Sequence, residues 1–173
     1  MENNQQKLIK ILFFGDILTG KSSLIIRYFQ DKFYDYPDMY SGTEFQQMLI
    51  QMGKEQIKYL IWDFHSNERF YYIRQFFYRM FSFVILCYDV NRRQTFQKAY
   101  DWYQDFKKDG QVIILALVGN KCDKQDEHRQ VTYQEAQQLA ESLGIAFFEV
   151  SAKTGDKVKQ LFDFIITQSQ TLS

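Results

Sequence analysis

The sequence predicts an α/β domain built on a doubly wound, six-stranded and mostly parallel sheet, with one antiparallel edge strand and about five helices. Three observations predict it. Short apolar runs of strand length recur at residues 8–14, 83–88, 112–118 and 146–150, and runs without polar alternation suit strands covered on both faces of a parallel sheet. Between them lie segments whose apolar residues repeat every three or four positions, the period of a helix with one buried stripe. Two further strand-like stretches sit on either side of a glycine and read as a hairpin. The chain has a single proline, Pro37, and carries no repeat or low-complexity tract, so residues 1–173 are expected to form one domain. That length buries a substantial core without disulfides or a structural metal.

Residues 8–14 supply the first strand. The segment that follows, Gly15-Asp16-Ile17-Leu18-Thr19-Gly20-Lys21-Ser22, matches G-x-x-x-x-G-K-S/T and lies between a strand and a helix, the context that motif needs. In such a turn, backbone N–H groups and a helix N-terminus surround the α- and β-phosphates of a nucleotide, the lysine adds a point charge and the Ser22 hydroxyl binds Mg2+. The bland alternative is an ordinary glycine-rich turn. The loop over residues 30–42 is long enough to be functional or mobile. Residues 44–52 and 56–62, joined around Gly53, should pair as an antiparallel hairpin at the sheet edge.

The next strand, 83–88, precedes a helix striped by Phe96, Ala99, Tyr100, Tyr103 and Phe106. After strand 112–118 comes a helix marked by Ala136, Leu139, Ala140 and Leu143. Thr132 with Glu135 forms a capping box at its start, and Gly144 stands where a left-handed terminal residue is expected. Strand 146–150 and a helix striped by Val158, Leu161, Phe162 and Ile165 complete the alternation.

Composition narrows the classes of function. Lys and Arg number 21 and Asp and Glu also 21, so no net positive field gathers nucleic acid or an anionic membrane by charge alone, and a nucleotide site must be local. Cys87 and Cys122 lack C-x-x-C spacing and read as reduced thiols of a cytosolic protein, neither zinc ligand nor nucleophile. The first residues show no secretory pattern, and no apolar run approaches a membrane span. With 17 Phe, 12 Tyr and 2 Trp, most rings must be core, but a surplus can mark a partner surface.

Asn120-Lys121-Cys122-Asp123 directly follows one predicted strand and Ser151-Ala152-Lys153 another, placing both at carboxyl ends of strands, where open α/β sheets bind ligands. With these motifs the chain resembles the small GTPases of the Ras superfamily, and within it the Rab branch, over essentially its whole length. The resemblance implies a P-loop small-GTPase fold binding GTP or GDP with Mg2+. It assigns the phosphates to Gly15, Ile17, Leu18, Thr19, Gly20, Lys21, Ser22 and Ser23, and guanine to Asn120, Lys121, Asp123, Ser151, Ala152 and Lys153. Phe33 falls at the spacing of the base-stacking aromatic. The chemistry agrees, because a carboxylate such as Asp123 can accept from both N1–H and N2–H2 of guanine, while adenine offers no such pair of donors.

Rab-like features continue in Ser41-Gly42-Thr43-Glu44-Phe45, Ile61-Trp62-Asp63, Glu68-Arg69-Phe70 and Leu86-Cys87-Tyr88-Asp89-Val90. Phe45, Trp62 and Phe77 match the aromatic triad through which Rab proteins meet effectors; the alternative is that all three are core. The aromatic run over residues 70–81 has the same two readings, rigid packing or a wider effector face.

Departures from the family gather at the γ-phosphate end. Tyr40 stands where a threonine ligates Mg2+, and a phenol is not expected to reproduce that coordination. In Asp63-Phe64-His65-Ser66-Asn67, Asp63 keeps the carboxylate that supports Mg2+ through water, but Ser66 replaces a glycine whose N–H swings onto the γ-phosphate. Asn67, in the catalytic position of a glutamine that orients the attacking water, is one methylene shorter. Ile17 and Leu18 bring bulk where relatives carry small residues. Nucleotide binding with weak hydrolysis is therefore expected. The alternative is a shifted loop register in which Ser41 or Thr43 supplies a hydroxyl and an activating protein brings the missing glutamine and arginine. His65 and His128 are expected to be solvated rather than catalytic.

The resemblance implies effector proteins, an exchange factor and an activating protein as partners, and no nucleic acid. Rab proteins end in a prenylated tail, whereas Gln170-Thr171-Leu172-Ser173 contains no cysteine. Membrane attachment would then need a partner, or a lipidated tail in a longer protein; the expected location is cytoplasmic, or peripheral on endomembranes if such a tail exists. A pseudo-GTPase acting as a constitutive interaction subunit with structural nucleotide is the rival function. A nucleotide kinase is disfavoured because no lid segment is found and the motifs at 120–123 and 151–153 would be unexplained.

Overall fold

The computed structural model describes residues 7–35, 45–53, 55–65, 80–109, 113–123 and 128–171. In chain order the elements are β1 (Lys7–Gly15), α1 (Lys21–Gln30), β2 (Phe45–Met52), β3 (Glu55–His65), β4 (Phe83–Asp89), α2 (Arg93–Asp109), β5 (Ile113–Asn120), α3 (Tyr133–Leu143), β6 (Ala146–Val150) and α4 (Val158–Thr171). The six strands lie in the order β2-β3-β1-β4-β5-β6. Among the described residues only β2 runs antiparallel, paired to β3 from Phe45 opposite Trp62 to Met52 opposite Glu55. The expected fold class is observed, with four helices among the described residues. β3 runs three residues beyond its apolar stretch because its parallel register with β1 continues to Gly15 opposite His65.

Strand alternation divides the core in two. Ile9, Ile11 and Phe13 of β1 face one cluster with Leu24 and Ile25 of α1 and Leu161, Phe162 and Ile165 of α4. Leu12 and Phe14 face the other, with Ala99, Trp102 and Phe106 of α2 and Ala136 and Ala140 of α3. Successive side chains of a strand point to opposite faces, so a strand that is apolar throughout must be covered on both; every residue of β4 is buried. Phe162 anchors the first layer, stacked on Tyr28 at 3.9 Å and on Phe13 at 5.4 Å.

α3 is bounded as its sequence suggests. Thr132 Oγ1 accepts from the Glu135 N–H at 3.2 Å, and Gly144 takes the left-handed conformation at φ 68°. The Glu135 carboxylate turns mainly to Arg93, whose guanidinium donates to it at 2.6 and 2.7 Å. Helices α1 and α2 lie on opposite faces, so the carboxyl end of β1, between β3 and β4, is the switch point where a crevice opens. Among the described residues, no helix is long and apolar enough to cross a membrane.

Candidate functional site

At that switch point the chain leaves β1 in a loop shaped by two glycines. A Cβ on Gly15 would lie 2.2 Å from the Cys87 carbonyl oxygen, and one on Gly20, at φ +89°, would lie 2.2 Å from Asn120 Nδ2. Neither position has room for a side chain. Thr19 Oγ1 donates to the Asp16 carbonyl at 2.8 Å and closes the loop. Gly20 offers no side chain to cap α1, so the N–H groups of its first turn stay available to an anion, reinforced by the helix dipole.

Lys21 folds back over the loop, its Nζ donating to the carbonyls of Gly15 at 3.0 Å and Asp16 at 2.9 Å. Its side chain is buried, and burial pushes the ammonium below the ordinary lysine value, against the pull of Asp63, Cys87 and Asp16. An anion placed within the loop would relieve that penalty.

A pocket of about 600 Å3 opens beside this loop, within the range of small-molecule and cofactor sites. One part of its lining, at the glycine loop and the start of α1, is Gly20, Lys21, Ser22 and Ser23, with Leu18 alongside. Its other end is lined by Phe33, Asn120, Lys121, Asp123, Ala152 and Lys153. These residues come from three strand ends and the segment after α1. Gly15, Ile17, Thr19 and Ser151 do not line the pocket; Gly15, Thr19 and Ser151 support it from behind. Ile26, Lys32, Tyr34 and Asp35 also line it and were not anticipated, although Lys32 and Tyr34 flank Phe33.

Asn120 joins the two ends. It is 1% exposed, its Nδ2 donates to the Thr19 carbonyl at 2.9 Å, and its Oδ1 accepts from the N–H groups of Lys121 at 2.8 Å and Ala152 at 3.1 Å. Lys121, left-handed at φ 68°, donates from Nζ to the Leu18 carbonyl at 2.6 Å and pairs with buried Asp89 at 2.8 Å. Ser151 Oγ donates to Asp123 Oδ1 at 2.6 Å and orients that carboxylate at the pocket rim. On the outer side, Asp16 pairs with Lys98 at 3.0 Å and Arg92 donates to the Ile17 carbonyl at 3.2 Å. Ile17 and Leu18 are both exposed at the tip, with Leu18 held at φ 60°.

Asp63 Oδ1 is buried with no hydrogen-bond partner among the described residues. Asp63 and Ser22 border the same small recess next to the pocket. An orphaned carboxylate oxygen beside a hydroxyl is a hard-oxygen donor pair that fits Mg2+. Tyr40, Ser41, Thr43, Ser66, Asn67 and Phe77 lie outside the described residues, as does the side chain of His65. His128 is exposed. Both cysteines are free, and burial pushes the Cys87 thiol up to about 12, so it stays protonated.

Phe45 is exposed, which removes it from the core reading, and its ring stacks on half-buried Trp62 at 5.0 Å. Trp62 in turn meets buried Phe81 edge-on at 5.9 Å. Phe81 therefore follows the packing reading of the aromatic run.

The doubly wound sheet, glycine loop and switch-point pocket define a P-loop nucleotide-binding domain. The Ras family model matches residues 10–171. Similar proteins include the Ras-related protein RABF2b of Arabidopsis thaliana, 34% identical over 154 residues that make up 88% of this chain and 76% of that protein. Ras-related protein Rab-5A of Dictyostelium discoideum is 34% identical over 163 residues, 92% of this chain and 81% of its own. GTP-binding protein ypt2 of Schizosaccharomyces pombe is 36% identical over 156 residues, 90% and 78% respectively. The chain belongs to the Ras family and is a Rab-like small GTPase. Guanine-nucleotide and Mg2+ binding, and effector, exchange-factor and activating partners, are general properties of that family.

Proposed function

We propose that this Rab-like GTPase holds GTP or GDP with Mg2+ in the switch-point pocket, meets effector proteins of membrane traffic through Phe45, Trp62 and Phe77, and hydrolyses GTP weakly. The observation that carries the binding reading is the Asn120 side chain, which ties the glycine loop at Thr19 to the base-side loop at Ala152 across one pocket. Asp123, fixed by Ser151, accepts the paired guanine donors, and Phe33 stacks on the base. Lys21 and the first turn of α1 take the phosphates, with Gly15, Ile17, Leu18 and Thr19 giving the loop its backbone and Ser23 completing its edge. Ser22, and Asp63 through water, would hold Mg2+, which when bound neutralises charge on the phosphate oxygens.

Weak turnover rests on Tyr40, Ser66 and Asn67. A shortened amide places its donor and acceptor short of the attacking water, and a β-carbon at 66 restricts the backbone swing toward the γ-phosphate. Exposed Ile17 and Leu18 add bulk at the same end. The test is single-turnover phosphate release from GTP-loaded protein without helpers. The wild type should be slow, and Ser66→Gly with Asn67→Gln together should speed it at least tenfold; a fast wild type removes the claim.

The same substitutions at Tyr40 and Ser66 motivate a second reading, a constitutive interaction subunit whose nucleotide is structural. It predicts equal partner affinity with GDP and with a non-hydrolysable GTP analogue. In either reading the place of action is the cytoplasm, or the surface of endomembranes if a partner or a lipidated tail supplies attachment.

A further inference from the structure

Arg27, in the last turn of α1, does not line the pocket, yet every nitrogen of its guanidinium is engaged. Nε donates to the Ala152 carbonyl at 2.8 Å and Nη2 to the Lys153 carbonyl at 2.7 Å, while Nη1 donates to the Asp31 carbonyl at 3.1 Å and to Asp31 Oδ1 at 2.9 Å. The side chain is 16% exposed, whereas Asp31 is 92% exposed. Its stem runs under the turn that closes the loop, since a Cβ on Gly155, at φ +85°, would sit 3.6 Å from Arg27 Cδ.

These contacts join two separate walls of the base end of the pocket. Ala152 and Lys153 line one wall, and Ala152 is pinned from both sides, its N–H on Asn120 and its carbonyl on Arg27. The Asp31 carbonyl ends α1 two residues before Phe33, which lines the other wall. A planar guanidinium can serve both directions at once, and its charge-assisted bonds to carbonyls are stronger than neutral ones. A lysine ammonium has neither the fork nor the span.

We propose that Arg27 is a positioning residue that locks the Ser151-Ala152-Lys153 loop to the end of α1 and so sets how slowly a guanine nucleotide leaves the pocket. The proposal rests on the nucleotide-site reading above. It assigns the holding role to the two loop carbonyls and none to the exposed ion pair with Asp31, because pairs so open to water contribute little.

The test loads the protein with N-methylanthraniloyl-GDP and follows release against excess unlabelled GDP, with Mg2+ and with EDTA. Arg27→Ala should speed release about tenfold in both conditions, leaving the ratio of the two rates unchanged, because the clamp acts on the base end and not through the metal. Arg27→Lys, which keeps charge and stem, should stay several-fold faster than wild type. Asp31→Asn, which keeps a residue tolerant of the left-handed conformation seen there at φ 51°, should release at the wild-type rate. In Arg27→Ala, the preference for GDP over inosine diphosphate should also shrink, a change that general loosening of the fold would not produce. Wild-type release rates in both arginine variants overturn the proposal, as does equal acceleration by Asp31→Asn or acceleration confined to the Mg2+ arm. A wild type that retains no labelled GDP sinks the nucleotide-site reading itself, and is told apart from the other failures by that control.

Discussion

Replacing Asn120 with alanine should separate the phosphate and base ends of the site. The side chain is 1% exposed and bonds to backbone at 2.9 Å to the Thr19 carbonyl and at 2.8 and 3.1 Å to the N–H groups of Lys121 and Ala152, with a longer bond of 3.5 Å to the Gly20 carbonyl. Each bond contributes about 1 kcal/mol net, and a buried group left without a partner costs more. The summed loss is therefore at least about 3 kcal/mol. For a domain of this length that corresponds to a melting point lowered by roughly 6–12 °C. Circular dichroism melting of nucleotide-stripped protein measures this part, and the rate of labelled GDP release measures the coupling between loops. A variant that melts within about 2 °C of wild type and retains GDP equally well would refute the idea that this amide holds the two loops together.

Two further outcomes follow from the geometry. Gly20→Ala combines a φ of +89° with an approach of 2.2 Å to Asn120 Nδ2, whereas Gly53→Ala, at φ +58°, meets open space; the first should abolish tight GDP binding while the second costs about 1 kcal/mol of stability and leaves binding intact. Equal effects in a titration of both variants would contradict this. Burial holds the Cys87 thiol at about 12 against an ordinary 9.0, so above pH 9 the unfolded chain binds fewer protons than the folded one. Its contribution is fully present below pH 9 and is lost as pH rises toward 12, by about 1.4 kcal/mol at pH 10. Urea denaturation at pH 8 and pH 10 should show that loss in wild type but not in Cys87→Ala, and parallel pH profiles would count against it.

Much of the fold was legible because its signals are local. The apolar runs at 83–88 and 146–150 became β4 and β6, and Thr132 and Gly144 bound α3 where their chemistry requires. The glycine loop was legible for the same reason, since Gly15, Gly20 and Lys21 sit in one contiguous motif flanked by a strand and a helix. Contacts across the chain were not legible. Arg27 meets carbonyls 125 and 126 positions away, and Lys98 reaches Asp16 across 82; nothing in the spacing of an arginine within a helix names its partner. The one available signal was a basic residue in the last turn of α1, which reads as ordinary dipole compensation. Phe45 and Trp62 show the same limit, because an aromatic on a strand is core or surface according to what covers that face, and only the packing placed Phe45 outside.

We propose a site complete toward guanine and altered toward the γ-phosphate. Its most direct test is the identity of the nucleotide extracted from freshly purified protein, separated by ion-exchange chromatography and quantified against protein. Near-stoichiometric guanine nucleotide with a substantial GTP fraction is the predicted result. An empty protein, bound adenine nucleotide, or GDP with no GTP would contradict it.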